Sequence, residues 1–230
     1  MIVSHHYRFI FLKTGKTAST SLNVAFSKIA AEKDELHLAT SANRRRLLRE
    51  YGTLDNLSFL GDRRAARRIG YPLLFGLHPH ARARDVRTFL GPEVFSRYTI
   101  ITSERNPYDR QVSQYAHRLR KRGIRDLSGF SKAMVSPLYN ALHVNRLNNW
   151  GIYTLDEIVC AHHIIRFEHL LDDFRDVLGV LGINAQRYEL PRLNRSDGRP
   201  SDYRSLYDAR ARETVGNWYR REIAHFGYEF

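Results

Sequence analysis

The stretch Arg8-Phe9-Ile10-Phe11-Leu12-Lys13-Thr14-Gly15-Lys16-Thr17-Ala18-Ser19-Thr20-Ser21-Leu22 decides the fold. Its first five residues are short, apolar and aromatic, the pattern of a buried strand. Its middle is polar and carries two lysines. Leu22, Val24, Ala25, Phe26 and Ile29 then recur at helical spacing. The order is therefore strand, polar loop, helix. In a parallel sheet, ligands sit beyond the carboxyl ends of the strands. A helix that starts there turns free N–H groups and a positive dipole end toward an anion. Lys16 adds a compact charge and Thr17, Ser19, Thr20 and Ser21 add hydroxyls. Only 6 of the 37 basic residues are lysine, and two of the six fall in this loop.

The same alternation continues along the chain. Tyr71–Leu77, Tyr98–Thr102 and His162–Phe167 read as further buried strands. Pro107 suits the first turn of a helix running to about Arg122. Leu170–Leu181 is amphipathic, with Gly182 placed as its stop. Ser205–His225 reads as one closing helix. Strands separated by helices indicate an α/β fold: a central parallel sheet flanked by helices, carrying a P-loop-like strand-loop-helix that binds phosphate. No linker divides the chain, so residues 1–230 read as a single domain. Residues 32–70 and 128–150 read as helical insertions or a lid on the acceptor side.

Composition narrows the classes. The 230 residues are 43% hydrophobic and 12% aromatic, globular rather than disordered. One cysteine, Cys160, excludes a disulfide framework and a zinc ribbon, and no metal site is expected. No apolar run approaches the roughly 20 residues of a membrane span, and Met1–Tyr7 lacks the apolar centre of a signal peptide. A cytoplasmic protein is the expectation. The formal charge is +13, and Arg44–Arg125 alone holds 19 basic against 7 acidic residues. A field of that sign attracts anions.

A nucleoside-triphosphate P-loop is one rival reading, because Gly15-Lys16-Thr17 matches its closing triplet. That motif needs a glycine five positions before the second one, and Ile10 stands there. The bland reading of the hydroxyls is a helix N-cap cluster. A second stretch changes the balance: Ser103-Glu104-Arg105-Asn106-Pro107-Tyr108-Asp109-Arg110-Gln111-Val112-Ser113-Gln114-Tyr115. Arg105 leaves a strand end and Ser113 lies two turns into the next helix. A forked guanidinium and a hydroxyl can together clamp a second phosphate; the bland alternative is an ion pair of Arg105 with Glu104 or Asp109.

With both stretches in this order, the chain resembles the sulfotransferase family that uses 3′-phosphoadenosine 5′-phosphosulfate (PAPS). Lys16-Thr17-Ala18-Ser19-Thr20-Ser21-Leu22 is similar to the loop that holds the 5′-phosphosulfate in that family. Arg105 through Tyr115 matches its 3′-phosphate motif throughout. Arg166-Phe167-Glu168-His169-Leu170 and the ending Gly227-Tyr228-Glu229-Phe230 extend the likeness over nearly the whole chain. Two positions depart: Gly15 stands where proline often precedes the lysine, and Ser19 replaces a frequent glycine.

The resemblance implies transfer of a sulfuryl group from PAPS to an acceptor hydroxyl, with Lys16 at the leaving phosphate and no metal. It implies PAPS contacts from Lys16, Thr17, Ala18, Ser19, Thr20, Ser21, Arg105 and Ser113, and from Arg195 and Ser196 in the late loop. His78-Pro79-His80 is similar to the histidine arrangement of some glycan sulfotransferases, where a histidine is the base. The intervening proline keeps the segment extended, so both rings point the same way. His80 is the expected base and His78 a helper or acceptor contact, with the order of the two roles open. The expected acceptor is a carbohydrate hydroxyl, free or on a lipid, with an acidic glycan or glycolipid included, ahead of a protein tyrosine. The rivals are an ATP-dependent kinase and a basic nucleic-acid-binding module, the latter prompted by Arg44-Arg45-Arg46 and the Arg63–Arg68 run; no recognisable nucleic-acid motif accompanies them.

Overall fold

The computed structural model describes residues 1–32, 80–141, 145–191, 193 and 199–230. The expected strand 71–77, His78, the basic runs between 44 and 68, Arg195 and Ser196 lie outside the described residues. In chain order the elements are β1 Ile2–Ser4, β2 Phe9–Leu12, α1 Ser19–Ala31, α2 Ala83–Leu90, α3 Pro92–Arg97, β3 Thr99–Glu104 and α4 Pro107–Arg120. There follow α5 Phe130–Val135, α6 Pro137–Ala141, α7 Trp150–Tyr153, β4 Thr154–Leu155, β5 Ile158–Val159, β6 His163–Arg166, α8 Leu170–Val180, α9 Ala209–Trp218 and α10 Arg220–Phe226.

The chain divides into two compact units: Met1–Glu104 with Gly151–Leu193, and Arg105–Trp150 with Asn194–Phe230. The chain crosses between them at three points, so no linker composition marks the division.

The first unit carries a four-strand sheet in the order β1-β2-β3-β6. β2, β3 and β6 are parallel; β1 runs antiparallel to β2, so the sheet is mixed rather than wholly parallel. Alternate residues explain its burial. Phe9 and Phe11 face α1 and pack on Phe26 at 5.3 and 4.8 Å between ring centroids, and Phe26 meets Phe174 of α8 at 5.5 Å. Ile10 and Leu12 point the other way and are also fully buried. A strand covered on both faces reads as a continuous apolar run, as Phe9–Leu12 does. Val180 ends α8, and Gly182 adopts the left-handed φ of 69° that a helix stop favours.

The register sets the position of the loop. Leu12 lies opposite Thr102, and the Thr102 hydroxyl donates to the Leu12 carbonyl at 2.9 Å. The chain that leaves β2 therefore starts beside Ser103.

The second unit is helical in its described residues. Its core holds Tyr108, Val112, Tyr115, Phe130, Met134, Val215 and Tyr219. Gly216 lets α9 approach closely: a Cβ there would meet the Tyr108 hydroxyl at 2.8 Å. Within 128–150 the chain forms the short helices α5 and α6, and Phe130 and Met134 bury it. The single closing helix expected over Ser205–His225 is instead a 3₁₀ turn, Tyr203–Leu206, then α9 and α10 with a break at Tyr219. The break has a tertiary cause. The Tyr219 ring lies under the Arg110 guanidinium at 4.6 Å, and its hydroxyl donates to Gln111 at 2.7 Å.

Candidate active site

In the first unit, Lys16, Thr17, Ala18, Ser19, Thr20, Ser21 and His80 come from three places in the sequence order: the end of β2, the start of α1 and the approach to α2. Lys16 and Ala18 both hold left-handed backbone, at φ 62° and 58°. For residues other than glycine this conformation is unfavourable, and it concentrates at functional sites. Alternation of this kind turns successive N–H groups toward one point, a nest for an anion. Among the described residues, the amides of Thr17, Ala18, Ser19 and Thr20 have no hydrogen-bond partner.

The N-cap reading of the hydroxyls does not describe them. The N-cap residue of α1 is Ala18, no side chain caps it, and the first turn contains no acidic residue. The hydroxyls are engaged elsewhere. Ser19 donates to the Thr14 carbonyl at 2.5 Å, and Ser21 accepts from the Leu193 amide at 3.2 Å. Thr17 lies 2.8 Å from the Thr14 hydroxyl and 2.8 Å from the Ser103 hydroxyl, fully buried. Thr20 is half-buried. The loop thus presents backbone amides rather than the hydroxyls of Thr17 and Ser19, whereas Ser21, which accepts from Leu193, keeps its own proton to donate.

His80 Nδ1 lies 2.8 Å from the backbone oxygen of Lys13. A carbonyl can only accept, so Nδ1 is protonated and donates; in the neutral tautomer this puts the lone pair on Nε2. Next to the loop, Glu104 ends β3 as a fully buried carboxylate and accepts from the Tyr153 hydroxyl at 2.9 Å.

Arg105 and Ser113 belong to the second unit, where the structure takes the 103–115 motif apart residue by residue. Asn106 caps α4, accepting from the Tyr108 amide at 3.0 Å, and donates to the Glu229 carbonyl at 2.7 Å. Pro107 occupies the first turn. Arg110 is fully buried and paired with Glu222 at 3.1 Å. The Tyr108 carbonyl accepts from Tyr207 at 2.9 Å, and Tyr115 packs on Phe130 at 5.4 Å. These five serve the fold. Arg105 donates through Nε to Asp109 at 2.7 Å, and Arg199 pairs with the other oxygen of the same carboxylate. Ser113 lies one turn beyond Asp109 on the same helix face and is buried. Asp109 thus carries one guanidinium on each carboxylate oxygen. Arg199 was not singled out by sequence; a lone arginine before a proline carries no pattern.

The remaining polar groups have structural tasks. His162 exchanges two 2.8 Å bonds with Ile100: its amide donates to the Ile100 carbonyl and its Nδ1 accepts from the Ile100 amide. Burial pushes the Cys160 thiol up to about 11, which removes it as a nucleophile near neutral pH. A cavity of about 400 Å³ opens between β6 and α8, lined by His163, Arg166, His169, Asp173 and Asp176 among others; it includes none of the expected site residues. Among the described residues no cluster of His, Cys, Asp and Glu is placed to hold a metal, and no helix is long and apolar enough to cross a membrane.

No protein-family model, no curated protein and no solved structure matches this chain.

Proposed function

We propose that the protein is a PAPS-dependent sulfotransferase acting on a hydroxyl of a carbohydrate or glycolipid acceptor. The observation that carries the reading is the His80–Lys13 bond: it ties the expected base, 67 residues away in sequence, to the residue that follows β2, three positions before the expected phosphosulfate loop begins at Lys16. The unpartnered amides of Thr17–Thr20 and the arginine pair on Asp109 support it.

In this reading the acceptor oxygen attacks sulfur in line with the bridging oxygen of the 5′-phosphosulfate. A new O–S bond forms as the bond from sulfur to the phosphate oxygen breaks. The acceptor proton passes to His80 Nε2. The electron pair leaves on adenosine 3′,5′-bisphosphate, and Lys16 and the loop amides meet the charge that grows there. The resemblance assigns the 3′-phosphate to Arg105 and Ser113; within the second unit, Arg199 joins Arg105 on Asp109.

The test is transfer of labelled sulfate from PAPS to a panel of glycans, with wild type and Lys16→Ala. Lys16→Ala lowers turnover far more than it weakens bisphosphate binding, because its interaction grows in the transition state. Equal losses in both, or no transfer to any acceptor, count against the reading.

A further inference from the structure

Thr14, Thr17 and Ser103 form a closed triangle of hydroxyls, none of them exposed to solvent. The sides are 2.8 Å for Thr14–Thr17, 2.8 Å for Thr17–Ser103 and 3.0 Å for Thr14–Ser103. Thr14 also donates to the Ser103 backbone carbonyl at 2.5 Å.

Counting protons fixes what Thr17 can do. Each hydroxyl has one proton. The Ser103 carbonyl can only accept, so it takes Thr14's proton, and toward the other two hydroxyls Thr14 only accepts. Two protons remain for three sides. The two shorter sides are satisfied by a single chain in which Ser103 donates to Thr17 and Thr17 donates to Thr14. Were the Thr17 proton sent outward, the Ser103 proton alone would serve the triangle, and at least one pair of buried oxygens 2.8 Å apart would face each other with no proton between them.

From this we infer that the Thr17 side chain is a positioning group and not a phosphate ligand, and that Thr14 and Ser103 are its partners in holding the loop. What the loop offers an anion at this position is the Thr17 amide. The triangle ties the loop to the end of β3 between the two left-handed residues Lys16 and Ala18, so it maintains a backbone that their own preferences oppose. The identity of the anion rests on the proposed sulfotransferase reading; the triangle does not.

The test uses the full chain with Thr17→Val, Ser103→Ala, their double variant, and the hydroxyl-keeping Thr17→Ser and Ser103→Thr. Two quantities are read: affinity for adenosine 3′,5′-bisphosphate and hydrogen exchange over residues 16–21. Thr17→Val and Ser103→Ala each weaken binding about tenfold, the scale of one lost buried hydrogen bond, and each speeds exchange. The double variant is also about tenfold weaker, because both changes open the same triangle. Thr17→Ser and Ser103→Thr keep slow exchange and stay within about twofold in affinity. If Thr17→Val loses binding while Ser103→Ala keeps both wild-type affinity and exchange, Thr17 is a direct ligand and the inference is overturned. Losses that multiply to about a hundredfold in the double variant overturn it as well. Wild-type protein that takes no bisphosphate, with exchange responding as described, sinks the sulfotransferase reading and upholds the positioning role; exchange unmoved by either change sinks the positioning role.

Discussion

The His80 ring is held through Nδ1 by the backbone oxygen of Lys13, at 2.8 Å. This bond does to the imidazole what a carboxylate does in other base-bearing sites: it sets the tautomer and aims Nε2. It also comes from Lys13, the residue that opens the loop, so in the proposed reading base and phosphate loop share one backbone anchor. His80→Ala therefore abolishes transfer, by about 10²–10⁴-fold in turnover, while bisphosphate affinity stays within a few-fold. Steady-state kinetics and calorimetry on the same samples check both halves. Activity that survives the change moves the base elsewhere.

Asp109 carries Arg105 on one oxygen and Arg199 on the other. Removing the shared anion leaves two cations close together in a buried place, whereas removing one arginine leaves a complete pair. Asp109→Asn should cost about 3–5 kcal/mol of stability, and Arg199→Ala about 1.5–3 kcal/mol. Denaturant melts compare them. In binding, Arg199→Ala weakens adenosine 3′,5′-bisphosphate by at least about tenfold and adenosine 5′-monophosphate hardly at all, since only the first has a 3′-phosphate to lose. Equal weakening of both nucleotides would remove Arg199 from that role.

Ala18 stands at φ 58° and ψ 13°, at the start of α1. A left-handed residue with a Cβ costs about 1–2 kcal/mol, and glycine escapes that cost at the expense of about 0.5–1 kcal/mol of chain entropy. Ala18→Gly should therefore leave the protein equally stable or raise its stability by up to about 1.5 kcal/mol, against the usual loss on placing glycine near a helix. A drop of 1 kcal/mol or more in urea unfolding would mean that the loop does not hold this backbone in solution.

The second unit predicts an alkaline limit. Burial pushes the Tyr139 phenol up to about 12 and the Tyr207 phenol further, against an ordinary value of 10.0. The folded state keeps these protons where the unfolded chain releases them. Their contribution is therefore complete below pH 10 and is lost as pH rises through the raised values. The urea midpoint should change little from pH 8 to 9.5 and fall steadily above pH 10, less steeply in Tyr139→Phe. An identical alkaline slope in wild type and Tyr139→Phe would contradict the assignment.

Much of the scaffold was legible because it depends on local pattern. Phe9–Leu12, Thr99–Glu104 and His163–Arg166 lie within two residues of the apolar runs that announced them. β1 was not legible: three residues have no period to read, and its pairing with β2 is a tertiary fact. The break at Tyr219 was hidden for the same reason, since Arg110 and Gln111 impose it from another helix. At the site, the order of strand, lysine loop and helix was visible, but the tasks of the hydroxyls were not. Thr14 and Thr17 find Ser103 because β2 and β3 are parallel and in register at Leu12 and Thr102, and no local spacing encodes a partner that far along the chain. Within the 103–115 stretch, local pattern did not show which residues cap, pair or pack: Asn106 caps, Arg110 pairs with Glu222, the Tyr108 carbonyl takes Tyr207, and Arg105 pairs with Asp109, the ion pair that the sequence offered as an alternative.

The positive charge also acquires a division of labour. Arg118 and Arg120 stand in the last turn of α4, where cations suit the helix dipole, and the exposed Lys121, Arg122 and Arg125 follow. In the proposed reading Lys16, Arg105 and Arg199 hold nucleotide phosphates, and the exposed group supplies the field that draws an anionic donor or acceptor.

The most direct measurement is calorimetric titration of the full chain with adenosine 3′,5′-bisphosphate, with ADP in the presence of Mg²⁺, and with a generic oligonucleotide, at one fixed ionic strength. The proposed function predicts one site for the bisphosphate, at least about tenfold tighter than either competitor. Binding of ADP with Mg²⁺ as tight as that of the bisphosphate, or tighter and steeply salt-dependent binding of the oligonucleotide, would contradict it.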